Sequence, residues 1–167
     1  MDKYYSLIEA DHKHKDILTN LYNLYSYDIS EYTDQCIQND RAFFEFEDID
    51  EFLNEDLLSA KILYCDGLPI GFLLMGESEK YAIDNCDYIV YDLFVMKGYR
   101  GKKAASYVLK EIFGKYKGNY CISELRKNEA SLKFWEIVIK KFGKDKYSEI
   151  LETPAGDKYI LKVFEVL

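Results

Sequence analysis

The stretch DLFVMKGYRGKKAASYVLKEIF, residues 92–113, constrains this chain more than any other. A β-branched and aromatic run breaks at a glycine, crosses four basic side chains (Lys97, Arg100, Lys102 and Lys103) and resumes as apolar positions at helical spacing. A strand that feeds a helix through a tight turn leaves the first N–H groups of the helix without internal partners, at the positive end of its dipole. No Ser, Thr, Asp or Asn stands between Tyr99 and Ala105 to cap those donors. Two readings follow, a solvated helix start with scattered lysines or an anion site. Gly101 permits close backbone approach, and Ala104 and Ala105 keep the first turn free of bulk, which favours the anion. The spacing fits neither the GxxxxGK[ST] phosphate loop nor the GxGxxG dinucleotide fingerprint.

Charge sharpens that reading. The formal net charge is -8, with fifteen acids against four bases in residues 1–60 and seven bases against one acid in residues 97–117. A nucleic-acid binder would spread its positive charge over a face, so no nucleic-acid partner is expected. Positive charge confined to one turn fits a compact anionic ligand, beside an acidic surface that attracts cations. With 167 residues, 49% of them apolar, the chain is expected to form a single domain over 1–167. The apolar run Ile70–Met75 is too short to cross a membrane, and the start lacks the apolar segment of a signal peptide. Cys36, Cys65, Cys86 and Cys121 form no CxxC pair, which predicts buried, reduced thiols and a cytoplasmic location. His12 and His14, two residues apart, would point to different faces of a helix, so no metal site is expected.

The periodicities predict the order β-α-α-β-β-β-α-β-α-β-β. KYYSLIE reads as an edge strand, and Ile17, Leu18, Leu21, Leu24, Tyr25 and Ile29 as one helical face. DIDEFLNEDLLS reads as a short acidic helix. Two strands flank the turn DGLP, and DYIVYDLFVM reads as a central strand. A helix follows Gly101, then the strand NYCISEL, a helix ending near Gly143, and a closing hairpin around TPAGD. The result is an α/β domain with a mixed, mostly antiparallel sheet, and its βαβ crossover at 88–125 should be right-handed.

The strand-turn-helix resembles that of the GNAT superfamily of N-acetyltransferases. There an apolar-x-Val strand end leads to [Gln/Arg]-x-x-Gly-x-[Gly/Ala] and a helix; here Leu93-Phe94-Val95 and Arg100-Gly101-Lys102-Lys103-Ala104-Ala105 hold those places. NEASLKFWEIVIKKF is similar to the family's Asn-x-x-Ala/Ser-x-x-Phe-aromatic helix, with Asn128, Ser131, Phe134 and Trp135 in register. The resemblance implies a sheet of about seven strands flanked by about four helices, and acetyl-CoA as cosubstrate. Leu93, Phe94 and Val95 would pair with the pantetheine arm. N–H groups across Gly101, Lys102, Lys103, Ala104, Ala105 and Ser106, with the charge of Arg100, would cradle the pyrophosphate. Asn128, Ser131, Phe134 and Trp135 would line the coenzyme's other side; their plainer roles are an N-cap for Asn128 and core packing for the two aromatics. Lys103 departs from the family, which usually has glycine there. The resemblance also leaves room for a homodimer through the last strands.

Acetyl transfer to an amine needs a neutral nucleophile, and an amine of pKa ~10.4 is neutral about once in 2,500 molecules at pH 7. Asp92 and Glu124 are the candidate bases; each is otherwise a partly exposed carboxylate at a strand end. The backbone N–H of Val95 is the candidate oxyanion donor. The family's usual tyrosine proton donor is replaced by Trp135, whose indole is too weak an acid for that role. The expected function is therefore N-acetylation of a primary amine on a small molecule or peptide, with Asp28, Glu31, Asp34, Glu45, Glu47 and Asp48 favouring a cationic acceptor. The competing readings are a non-catalytic acyl-CoA sensor, in which Trp135 marks lost chemistry, and a plain interaction domain.

Overall fold

The computed structural model describes residues 3–33, 37, 49–80, 85–150 and 159–167. Cys36, Asp34, Glu45, Glu47, Asp48 and the TPAGD turn lie outside the described residues. The elements are β1 (Tyr5–Glu9), α1 (Lys15–Ile29), α2 (Ile49–Asn54), β2 (Leu58–Cys65), β3 (Leu68–Glu77), β4 (Tyr88–Val95), α3 (Ala104–Lys115), β5 (Gly118–Leu125), α4 (Glu129–Phe142), β6 (Gly143–Ile150) and β7 (Tyr159–Val166). Their order is the one the periodicities predict. The seven strands are hydrogen-bonded in the order β1-β2-β3-β4-β5-β7-β6, a mixed and mostly antiparallel sheet, with four α-helices among the described residues. None of those helices is long and apolar enough to cross a membrane. The chain divides into two compact units, Met1–Leu74 with Asp92–Val108, and Met75–Tyr91 with Leu109–Leu167.

In the first unit β1 lies antiparallel to β2, with Tyr5 opposite Cys65 and Glu9 opposite Lys61. Asp66 and Gly67, at φ 51° and 80°, give the two left-handed residues that a tight two-residue hairpin needs, so the turn is shorter than the DGLP reading and Leu68 already belongs to β3. Ile62, Leu63, Phe72, Leu73 and Leu74 are buried completely, and α1 adds Leu18 and Leu21. Leu24, read from the sequence as part of that apolar face, is exposed. Gly71 has a strict steric reason: a Cβ there would collide with the carbonyl oxygen of Phe94.

In the second unit β4 runs parallel to β5, with Tyr88 opposite Tyr120, Ile89 opposite Cys121 and Val90 opposite Ile122. That register takes three of the eight residues of each strand. β5 then pairs antiparallel with β7 along its whole length, from Gly118–Val166 to Leu125–Tyr159. Aromatic rings fill the core: Phe113 meets Tyr120 edge-on with centroids 4.7 Å apart, and Phe164 lies 6.5 Å from Trp135. Cys65, Cys86 and Cys121 are buried and free, as read from the sequence.

Candidate active site

The turn after β4 is built by backbone geometry. Met96 donates its N–H to the carbonyl of Ile70 on β3 at 2.9 Å. Adjacent strand residues present their polar groups to opposite edges, so Val95 presents its N–H and carbonyl to the edge facing away from β3. A short 3-10 turn, Lys97–Tyr99, reverses the chain. Gly101 and Lys103 then both take left-handed backbone, at φ 70° and 66°. The glycine adopts this freely; the lysine does so against its Cβ. That explains why the family pattern carries glycine at the place Lys103 holds here.

The carbonyls of the turn are tied down by the protein itself. The Tyr5 hydroxyl donates to the carbonyl of Lys102 at 2.8 Å, and Lys102 Nζ donates to that of Gly98 at 2.6 Å. Tyr107 makes the first helical bond of α3, to Lys103 O at 2.9 Å. Among the described residues nothing accepts from the N–H groups of Ala104, Ala105 and Ser106, and Lys103 at the cap position has no acceptor to offer. Lys102 and Lys103 are exposed around those donors.

Arg100 differs from the sequence expectation, which gave it to a phosphate. Its Nε donates to the carbonyl of Val95 at 2.7 Å, and its terminal nitrogen pairs with the carboxylate of Asp28 on α1. Lys97 reaches the other oxygen of Asp28 at 2.8 Å. Burial opposes ionisation of Asp28, but hydrogen bonds from Lys97 and Arg100 outweigh it and hold the carboxyl below its ordinary value.

Asp92, read from the sequence as a strand-end carboxylate, is half-buried and accepts a hydrogen bond from the Tyr25 hydroxyl of α1. Loss of water pushes its carboxyl up to about 6, and the Tyr25 bond acts in the opposite sense. The Tyr25 ring packs against Phe72 and Phe94, with centroids at 5.7 and 5.9 Å, and Tyr22 lies 5.4 Å away. Sequence reading did not foresee the bond between Tyr25 and Asp92. The available signal was the place of Tyr25 three residues before Asp28, on the same face of a tyrosine-rich helix.

In the second unit Glu124 is placed differently from the strand-end carboxylate read from the sequence. Its side chain is fully buried and lies 2.9 Å from Nζ of Lys162, itself buried on β7. Burial raises its carboxyl, while Lys162 and Ser131 act in the opposite sense. This enclosed, ion-paired carboxylate differs from the partly exposed strand-end group read from the sequence. Asn128 caps α4 by accepting from the Ser131 N–H at 3.0 Å, and the Ser131 hydroxyl lies 3.4 Å from Glu124. Trp135 is buried against Phe164, and Phe134 is half-buried beside it with centroids 5.3 Å apart. The plainer readings of Asn128 and Trp135 therefore describe what these side chains do in the protein.

The family model described as "Acetyltransferase (GNAT) family" matches residues 18–138. No curated protein matches the sequence. Among solved structures, an acetyltransferase from Thermus thermophilus is similar at a TM-score of 0.71 with 12% identity, covering 97% of each chain. Naa50 of Arabidopsis thaliana, solved with the bisubstrate analogue CoA-Ac-MVNAL, is similar at 0.59 with 14% identity, covering 98% of this chain and 99% of that one. AAC(6')-Iy, solved with CoA-S-monomethyl-acetylneamine, is similar at 0.57 with 16% identity, over 81% of this chain and 89% of that one. The chain belongs to the GNAT family of acetyltransferases, and acetyl-CoA is its acyl donor.

Proposed function

We propose that this acyltransferase moves the acetyl group of acetyl-CoA directly onto a primary amine of a small molecule or peptide, without a covalent intermediate on the protein. The observation that carries the reading is the row of N–H donors at Ala104, Ala105 and Ser106, presented by the left-handed turn at Gly101 and Lys103. A diphosphate satisfies such donors, and Lys102 and Lys103 add charge to it. Leu93, Phe94 and Val95 offer backbone groups to the pantetheine arm. Val95, on the edge turned away from β3, supplies the N–H for the tetrahedral oxyanion.

Asp92 is the base. A carboxyl poised near 6 is ionised at neutral pH and still basic enough to take a proton, which an ordinary aspartate does poorly. The Tyr25 hydroxyl that bonds the carboxylate belongs to a ring cluster with Tyr22 and Phe94, and a carboxylate near aromatic rings favours a cationic acceptor. The compared structures with aminoglycoside- and peptide-derived analogues fit an amine of either class.

Thermal shift with CoA tests the donor site: at 100 times the dissociation constant, stabilisation should be ~2.7 kcal/mol. Thiol release from acetyl-CoA over polyamines, aminoglycosides and short peptides tests the transfer. Absence of any shift at millimolar CoA would refute the cofactor site, and binding without turnover on any amine would refute direct transfer.

A further inference from the structure

We propose that Tyr25 is a catalytic proton carrier, passing a proton from the acceptor ammonium to Asp92. The inference rests on the acetyl-transfer reading and adds to it a residue outside the strand-turn-helix. Three observations carry it. The Tyr25 hydroxyl donates to Oδ1 of Asp92, a residue 67 positions away in sequence. The ring packs against both Phe72, which is fully buried, and Phe94, which is 5% exposed, and these two rings also touch each other, so packing restrains the ring that carries the hydroxyl. Asp92 itself directly precedes Leu93-Phe94-Val95, the segment proposed to lie along the thioester.

The charged groups nearby are accounted for. Asp28, one turn further along α1, is paired with Lys97 and Arg100, and the Arg100 guanidinium lies 5.8 Å from the Phe94 ring centre. Tyr22 is the other phenol of the ring cluster, and it meets Tyr25 edge-on. Within the first unit, Tyr25 is therefore the phenol whose bond to Asp92 is formed.

The step balances as follows. The ammonium N–H⁺ gives its proton to the phenol oxygen while the phenol proton passes to the Asp92 carboxylate. This leaves a neutral amine, an intact phenol and a carboxylic acid. The amine then forms the C–N bond at the thioester carbonyl, the C–S bond breaks, and the second nitrogen proton leaves with the CoA thiol. Asp92 returns its proton to water, which closes the cycle.

The test uses the full chain, as wild type, Tyr25→Phe, Asp92→Asn and, as a control on the same helix, Tyr27→Phe at an exposed position. Carbon-13 NMR of the Asp92 carboxyl follows its titration without any substrate. The midpoint should lie near 6 in wild type and rise in Tyr25→Phe, which loses the bond that favours the carboxylate. With ethylamine at high concentration as acceptor, the acid limb of the rate should follow that midpoint in each protein. Tyr25→Phe should lose ~10²-fold in kcat with KM little changed, while Tyr27→Phe tracks wild type and CoA still stabilises every variant. An Asp92 midpoint unmoved by Tyr25→Phe, or a Tyr25→Phe enzyme with wild-type rate and acid limb, overturns the proposal. If no amine is acetylated although CoA binds, the transfer reading fails, and the carboxyl titration alone judges the pair.

Discussion

Arg100 and Asp28 are joined between the turn after β4 and helix α1, and the same guanidinium holds the carbonyl of Val95 at 2.7 Å. Lys97 shares the carboxylate at 2.8 Å. One acid thus quenches two of the four bases that make the turn conspicuous in sequence, leaving Lys102 and Lys103 to meet an incoming anion. If the cofactor's phosphates dock at this turn as proposed, Asp28 would compete with them for these two cations.

Asp28→Asn should therefore tighten CoA binding. An exposed ion pair is worth ~0.2–1 kcal/mol, so the gain should be at most ~5-fold and should shrink with added salt. Calorimetric titration at low and at physiological ionic strength reads both effects. Weaker binding would mean that Asp28 positions Arg100 for the cofactor instead of competing with it. Arg100→Glu with Lys103→Glu should weaken binding under the same conditions.

Asp92 makes stability fall as pH rises. Its folded-state carboxyl lies at about 6 against an ordinary 3.8, so between those values the folded protein holds the proton more tightly than the unfolded chain. The contribution is most favourable below 3.8 and is lost as pH rises through 6. At ~1.4 kcal/mol per pK unit, wild type should lose up to ~3 kcal/mol relative to Asp92→Asn between pH 4 and pH 7. Urea unfolding of the two proteins across that range isolates this group, because every other titration is common to both. Parallel curves would place the carboxyl at its ordinary value.

Lys103→Gly should stabilise the protein. A left-handed lysine costs ~1–2 kcal/mol, and the added freedom of glycine in the unfolded chain takes back ~0.5–1. The net gain of roughly 0.5–1 kcal/mol corresponds to a melting temperature higher by about 1–4 °C for a chain of this length. If the lysine charge contributes to phosphate binding, CoA affinity should fall modestly in the same variant. Melting with and without CoA therefore separates strain from charge.

The order of elements was legible because each strand and helix carries its own period, and because Asp66-Gly67 and Gly143 punctuate them at the places the structure uses. The glycine-containing turn between β4 and α3 was legible for the same local reason. Contacts between distant residues were not. Tyr25 meets Asp92 across 67 positions, and nothing in a tyrosine-rich helix says which phenol finds a carboxylate. Leu24 satisfies the helical period yet lies at the edge of the stripe and stays exposed. Lys162 in KYILKVFEV looks like an outward residue of an alternating strand. Its burial depends on the register that sets it opposite Ile122, a property of two strands and not of one.

That register underlies a last prediction. Glu124 and Lys162 are both fully buried, with Nζ and Oε2 2.9 Å apart, and α4 adds the Ser131 hydroxyl at 3.4 Å. Removing one partner of a buried pair strands the other charge, which costs about 3–5 kcal/mol; removing both can be nearly neutral. Lys162→Met should therefore destabilise by that amount, with Glu124 protonating to escape its burial, so that the loss is smaller at pH 5 than at pH 8. Lys162→Met combined with Glu124→Gln should recover most of the stability and lose the pH dependence. A double-mutant cycle by chemical denaturation at the two pH values measures the coupling. If Glu124 were instead the catalytic base, the double variant would be stable but inactive; as a structural residue, its repaired form should retain acetyl transfer.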